Sequence, residues 1–138
     1  MRRNAEADAS DKPAATSGRI GQAVADLPAP RTETYEARLA RDARWAMAEG
    51  DRFFDEKSSV FQTLRDIARC LNDLDIPYVV VGGLAMAHAG YRRFTEDVDM
   101  VVTTEGLRAI HDNLIGLGYK PAHRLSKNIR DTSTGVRI

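Results

Sequence analysis

The sequence predicts an α/β (α+β) domain in which short strands alternate with amphipathic helices. Two observations carry that prediction. Val60, Leu64, Ile67, Leu71 and Leu74 recur at helical spacing. Beyond them the run "VVVGGLAMAHAGYRRFTEDVDMVV", residues 79 to 102, opens as a buried strand, breaks at a double glycine, and returns to an apolar stretch containing Glu96, Asp97 and Asp99. Burying carboxylates is costly unless something compensates. The second strand therefore needs a partner for its acids.

At 138 residues, with 43% hydrophobic and 29% charged side chains, the chain has the size and composition of one soluble globular domain. Twenty basic and twenty acidic residues cancel. That balance excludes a global field for holding nucleic acid or an anionic membrane, so any such contact is local. Arg2 and Arg3 are followed by no apolar h-region, and no run approaches the ~18 residues of a membrane span. No membrane contact and a cytoplasmic location are expected. Cys70 is the only cysteine, which rules out an internal disulfide and a cysteine-built zinc site. Within its helical apolar pattern it reads as a buried structural thiol.

Residues 1–30 hold three of the five prolines and almost no large apolar side chains. They can bury too little surface to offset the entropy of ordering, and are expected to form a disordered N-terminal arm. Residues 31–57 are an accessory helical segment. Within it "TYEARLARDARWAMAE", Thr34 to Glu49, is rich in helix formers, with Tyr35, Leu39, Ala46 and Met47 loosely on one side and Gly50 as the expected end. Residues 58–138 form the core. Its first helix should run from Val60 to Leu74, with Ser59 and Gln62 as a capping box. Pro77 resets the backbone, and Tyr78 to Val81, β-branched and apolar on both faces, is expected as an interior strand. "LAMAHA" makes a short helix ending at Gly90, and Phe94 to Val102 a second strand. Thr104 caps a third helix with Leu107, Ile110, Leu114 and Leu117 on one face and Gly118 beyond. Strand pieces follow around Ala122 to Leu125 and Asn128 to Arg130. A turn at "DTSTG" then leads into a strand beginning at Val136.

Side chains two apart on a strand share a face, so Asp97 and Asp99 point one way and Glu96 and Val98 the other. Two carboxylates a few ångströms apart raise each other's pKa unless a cation intervenes. A hard divalent ion such as Mg²⁺ takes carboxylate oxygens and keeps waters and substrate phosphates as its other ligands. Gly82 and Gly83 add a second feature. Lacking side chains, they let a phosphate approach backbone N–H groups beside a helix N-terminus. Ligands in open α/β sheets collect beyond the carboxyl ends of strands, where these glycines lie.

The order apolar strand, Gly82-Gly83, short helix, Gly90-Tyr91-x-Arg93-x-Thr95-x-Asp97-x-Asp99, apolar tail resembles the signature of the DNA polymerase β-like nucleotidyltransferase superfamily. It is most similar to the bacterial branch associated with abortive-infection and toxin–antitoxin systems. The resemblance covers about residues 58 to 138 and is silent on residues 1 to 57. It implies a small mixed sheet flanked by helices, with a nucleoside triphosphate such as ATP bound through the glycine turn. Asp97 and Asp99 would ligate two Mg²⁺ ions, and a third carboxylate on a later strand would complete the site. The implied reaction moves a nucleoside monophosphate to an acceptor hydroxyl, on RNA or protein, by in-line attack on the α-phosphorus with loss of pyrophosphate. Arg93 would contact phosphate or acceptor. Thr95 would orient an aspartate, or serve only as a β-former.

In that family the third carboxylate sits on the strand that here begins "GVRI", so it would fall just past Ile138. Asp131 belongs to the turn before this strand. The core therefore reads as truncated at its C-terminus, and the 138-residue chain alone as weak or inactive. The alternative is a non-catalytic nucleotide-binding or interaction module that kept the fold and lost turnover. An unpaired strand edge would favour a homodimer or a partner chain completing the sheet. Asp-x-Asp alone is weak in a chain with twenty acidic residues, where a solvated strand end is the plain reading. Arg92 reads as a solvated charge, and His88, His111 and His123 receive no role. From Tyr119 onward Lys120, Arg124, Lys127, Arg130 and Arg137 face only Asp131. This basic strip either guides a polyanionic acceptor or protects strand edges.

Overall fold

Helix caps set the first half of the chain. The computed structural model describes residues 33–123 and 126–138, and the arm expected at residues 1–30 lies outside the described residues. Thr34 and Asp42 each accept a hydrogen bond from the backbone N–H three residues on, at Ala37 and Trp45. The helix expected from Thr34 to Glu49 is therefore two, α1 (Tyr35–Arg41) and α2 (Ala43–Phe54). An Asp inside a helix-forming run offers its carboxylate as a cap and restarts the helix. Gly50 lies within α2 rather than ending it. Ser58, not Ser59, caps α3 (Ser59–Asp73) by accepting from Phe61 N–H.

β1 (Tyr78–Val81) has the expected bounds and runs directly into α4 (Gly82–His88). It pairs antiparallel with β2 (Asp99–Val102), placing Tyr78 opposite Val102 and Val81 opposite Asp99. β2 is shorter than the expected Phe94 to Val102, because β1 turns into α4 at Gly82 and leaves residues 94–98 without a neighbour on that side. β1 is also not interior. Among the described residues β2 alone flanks it, and the cross-strand pair Val79 and Val101 is 61% and 56% exposed. Thr103, not Thr104, caps α5 (Thr104–Leu114).

β3 (Tyr119–Pro121) pairs antiparallel with β4 (Ile129–Asp131). The first strand piece thus lies at Tyr119–Pro121, before the expected Ala122 to Leu125, of which Arg124 and Leu125 lie outside the described residues. Residues 136–138 then join the two sheets. Ile138 exchanges backbone hydrogen bonds with Ile129 at 2.8 and 3.0 Å, and Val98 N–H donates to the Arg137 carbonyl at 3.0 Å. This terminal segment lies antiparallel beside β4 and parallel beside the chain entering β2, with Asp97 bridged to Arg137.

Among the described residues five helices and two antiparallel pairs form a mixed α+β fold around two apolar clusters. Ile67, Leu71, Ile110 and Leu114 centre one, and Tyr35, Phe53, Val60, Leu84, Val98 and Val136 fill the other. Tyr35 and Phe53 bring α1 and α2 into the second cluster. Glu49, 2% exposed, accepts from Tyr35 Oη at 3.1 Å and Ser59 N–H at 2.9 Å and ties the first three helices together. Cys70 is half-buried rather than fully buried, and burial pushes its thiol above the ordinary range, away from the reactive thiolate. Among the described residues no helix is long and apolar enough to cross a membrane.

Candidate functional site

The turn between β1 and α4 is shaped by the residues it touches. Gly82 has φ +65°, the left-handed region that side chains disfavour, and a Cβ there would collide with Asp99 Oδ2. At Gly83 a Cβ would lie 2.9 Å from Thr95 Cβ and 3.0 Å from its Oγ1. Both glycines are therefore required by close approach. The sheet register explains the contact with Asp99, since Asp99 pairs with Val81, the residue before the turn.

Asp97 comes to the same face. Val98 is 1% exposed, and Val98, Met100 and Val102 pack on the two clusters. Alternation then turns Asp97, Asp99 and Val101 outward. Thr95 Oγ1 donates to Asp97 Oδ1 at 3.0 Å, and Arg137 Nη2 donates to Asp97 Oδ2 at 2.8 Å. The hydrogen bond to Asp97 raises the Arg137 guanidinium above its ordinary pKa, so it stays charged. Each oxygen of Asp97 thus has a different kind of partner, one a neutral hydroxyl and the other a cation.

Gly82, Gly83, Thr95, Asp97 and Asp99 are brought together, but Arg93 is not. It is exposed and makes no hydrogen bond or ion pair among the described residues. Arg92 has more structure than a solvated charge. It donates to the Phe54 carbonyl at 2.9 Å and pairs with Glu56 at 3.6 Å, tying the loop after α4 to the end of α2. Asp131 ends β4 and is 3% exposed. Its Oδ2 accepts from Thr63 Oγ1 at 3.0 Å, and its Oδ1 accepts from the Ser133 N–H and Oγ at 2.7 Å each. Those oxygens are committed to the turn and to α3.

The basic strip is also broken up. Arg130 pairs with Glu36 at 2.8 Å and Arg137 with Asp97, while Arg124 lies outside the described residues. Lys120 and Lys127 remain as exposed cations of the set. His88 lines a cavity of about 330 Å³ with Phe53, Phe54, Phe61, Leu84 and Arg92, and neither aspartate is in its lining.

Among the described residues no three or more Asp, Glu, His or Cys side chains gather as a metal cluster. The pair that is present suits one class of ion. Two carboxylates on one face, beside the glycine turn, are hard oxygen donors of the kind Mg²⁺ takes. Sequence reasoning gave no role to the Arg137 contact, because the partner of Asp97 arrives from 40 residues away through strand order. The chain matches no protein-family model, no curated protein and no solved structure.

Proposed function

We propose that the chain is the core of a Mg²⁺-dependent nucleotidyltransferase of the DNA polymerase β-like kind. It would act in the cytoplasm, moving a nucleoside monophosphate from a triphosphate such as ATP to an acceptor hydroxyl on RNA or protein. The abortive-infection and toxin–antitoxin branch is the setting the sequence signature points to. One observation carries the reading: the Gly82-Gly83 turn abuts Asp99 and Thr95, which brings the glycine turn and the carboxylate face together. Val81, at the N-cap of α4, supplies no side-chain hydrogen bond to the helix's first N–H groups. Thr95 fixes Asp97 through Oδ1, and the sheet holds Asp99 against the turn. Asp97 and Asp99 would hold Mg²⁺, which when bound neutralises charge on the attacking and leaving oxygens.

A second reading, a nucleotide-binding module without turnover, is favoured by a specific observation. Arg137 holds Asp97, and Asp131 is committed elsewhere, so among the described residues Asp97 and Asp99 alone serve the face. Calorimetry with Mg²⁺ and ATP, on wild type and on Asp97→Asn and Asp99→Asn, tests the site common to both readings. Saturable binding lost in both variants supports it, and unchanged heats in both overturn it. Transfer of label from α-labelled triphosphates to RNA or protein acceptors separates enzyme from module.

The same reading includes a homodimer or a partner chain at the edge of the sheet. Val98 directs its N–H to Arg137, so by alternation Met100 and Val102 turn their backbone groups the same way, away from β1. They border a groove of about 430 Å³ whose other wall is Lys127, Asn128 and Ile129. A strand from a second copy or a partner chain would pair there.

A further inference from the structure

We infer that Arg137 is an exchangeable counter-ion of this site, neutralising Asp97 when no ligand is bound and turning to the phosphates of a bound nucleoside triphosphate. The inference rests on the nucleotide-binding reading above. Asp97 Oδ1 accepts from Thr95 and Oδ2 from Arg137, so a metal ion binding at Oδ2 competes with the guanidinium for that oxygen. The backbone of Arg137 is pinned by the bond from Val98 and by bridges to Asp97 and Arg130. Its side chain is 44% exposed. Val136 is fully buried and Ile138 packs against the clusters, so alternation sends Arg137 to the carboxylate face. The part free to move is thus the part that carries the charge.

The chemistry favours an exchange. An ion pair this open to water is weak, and a divalent ion or a phosphate can break it. A guanidinium freed from a carboxylate keeps a planar fork of donors that matches phosphate oxygens in pairs. A bare metal ion and a metal–nucleotide should therefore meet Arg137 differently. The ion alone competes with it for Asp97, whereas the triphosphate gives it a new partner.

The test uses the wild type, Arg137→Gln and Arg137→Lys, with circular dichroism confirming that each is folded. Binding of Mn²⁺ alone is read from the loss of its free electron-spin-resonance signal, and binding of Mn²⁺–ATP by calorimetry. Arg137→Gln should bind Mn²⁺ alone about 5-fold more tightly, the value of an exposed ion pair. It should bind Mn²⁺–ATP about 10-fold more weakly, having lost a charge-assisted contact. Arg137→Lys should fall between the two on both measures. A residue that only supports the sheet would move both affinities in one direction. Affinities moving together, or a Mn²⁺ affinity unchanged in Arg137→Gln while wild type binds nucleotide, overturn the role of Arg137 and leave the site reading standing. No saturable Mn²⁺ or nucleotide binding in any folded variant overturns the site reading, and the role of Arg137 with it.

Discussion

Asp131 and Asp97 are the same residue placed on either side of the terminal segment 136–138, and their carboxylates are held in opposite ways. Asp131 is 3% exposed and accepts from the hydroxyl of Thr63 and from the N–H and hydroxyl of Ser133, all neutral donors built into the fold. Asp97 shares one oxygen with Thr95 and gives the other to a guanidinium that is 44% exposed. The difference teaches what makes a carboxylate available. Donors that cannot leave make an acid part of the architecture, whereas a surface cation holds it only until a better cation arrives.

The largest effect that tests this contrast is on stability. Asp131→Ala should destabilise the protein by about 3 kcal/mol, because it removes a buried acceptor that the Thr63 hydroxyl and the N–H and hydroxyl of Ser133 share. Asp97→Ala should change stability by no more than about 1 kcal/mol, the scale of an exposed ion pair. Urea unfolding of the two variants measures both. Equal losses would mean that Asp97 is as architectural as Asp131, and the contrast would fail.

The next effect isolates the contact between the turn and Asp99. Gly82→Ala meets a left-handed φ of +65° and a collision with Asp99 Oδ2, and should lose about 2–3 kcal/mol of stability. Gly116→Ala meets a left-handed φ of +85° with nothing within 4 Å of the added carbon. It should lose only about 1 kcal/mol, the cost of the backbone conformation alone. The excess at Gly82 measures the close approach, and the proposed nucleotide binding should fall with Gly82→Ala and hold with Gly116→Ala. Equal losses in the two variants would show that Asp99 moves aside freely.

The same contrast shows which parts of the molecule are legible in the sequence. The bounds of β1, the glycine turn and the shared face of Asp97 and Asp99 come from neighbours in the chain: a β-branched run, two glycines, and a period of two. The starts of α3 and α5 are legible to within one residue, since an apolar stripe does not say whether Ser58 or Ser59, Thr103 or Thr104, is the cap. The end of α5 is less so, at Leu114 rather than beyond Leu117. Asp42 sits in a run of helix formers, and only its carboxylate, reaching back to Trp45 N–H, reveals two helices. The partners of the acids are not legible. Arg137 reaches Asp97 across 40 residues and Thr63 reaches Asp131 across 68, through strand order that no local pattern records. β1 looks interior because it is apolar on both faces, yet its outward valines are left exposed.

The smallest effect lies on α3, where Asp66 senses the charge kept at Asp131. Partial burial raises the Asp66 pKa first, the negative charge of Asp131 raises it further, and Arg69, 3.5 Å away, pulls it down in part. A folded-state pKa above the unfolded value means that the stability contributed by the protonated form is present at low pH and is lost as pH rises through the folded value. At neutral pH the Asp66 carboxylate therefore opposes folding. Asp66→Asn should be more stable than wild type at pH 7, by about 0.5 kcal/mol or less because water screens a side chain that is 29% exposed. The advantage should shrink as pH falls into the range where ordinary aspartates protonate. In an Asp131→Asn background it should be smaller at every pH, since one source of the shift is gone. Urea midpoints of the four proteins between pH 4 and 7 measure this, and an Asp66→Asn variant less stable than wild type at pH 7 would show that its pair with Arg69 outweighs both burial and Asp131.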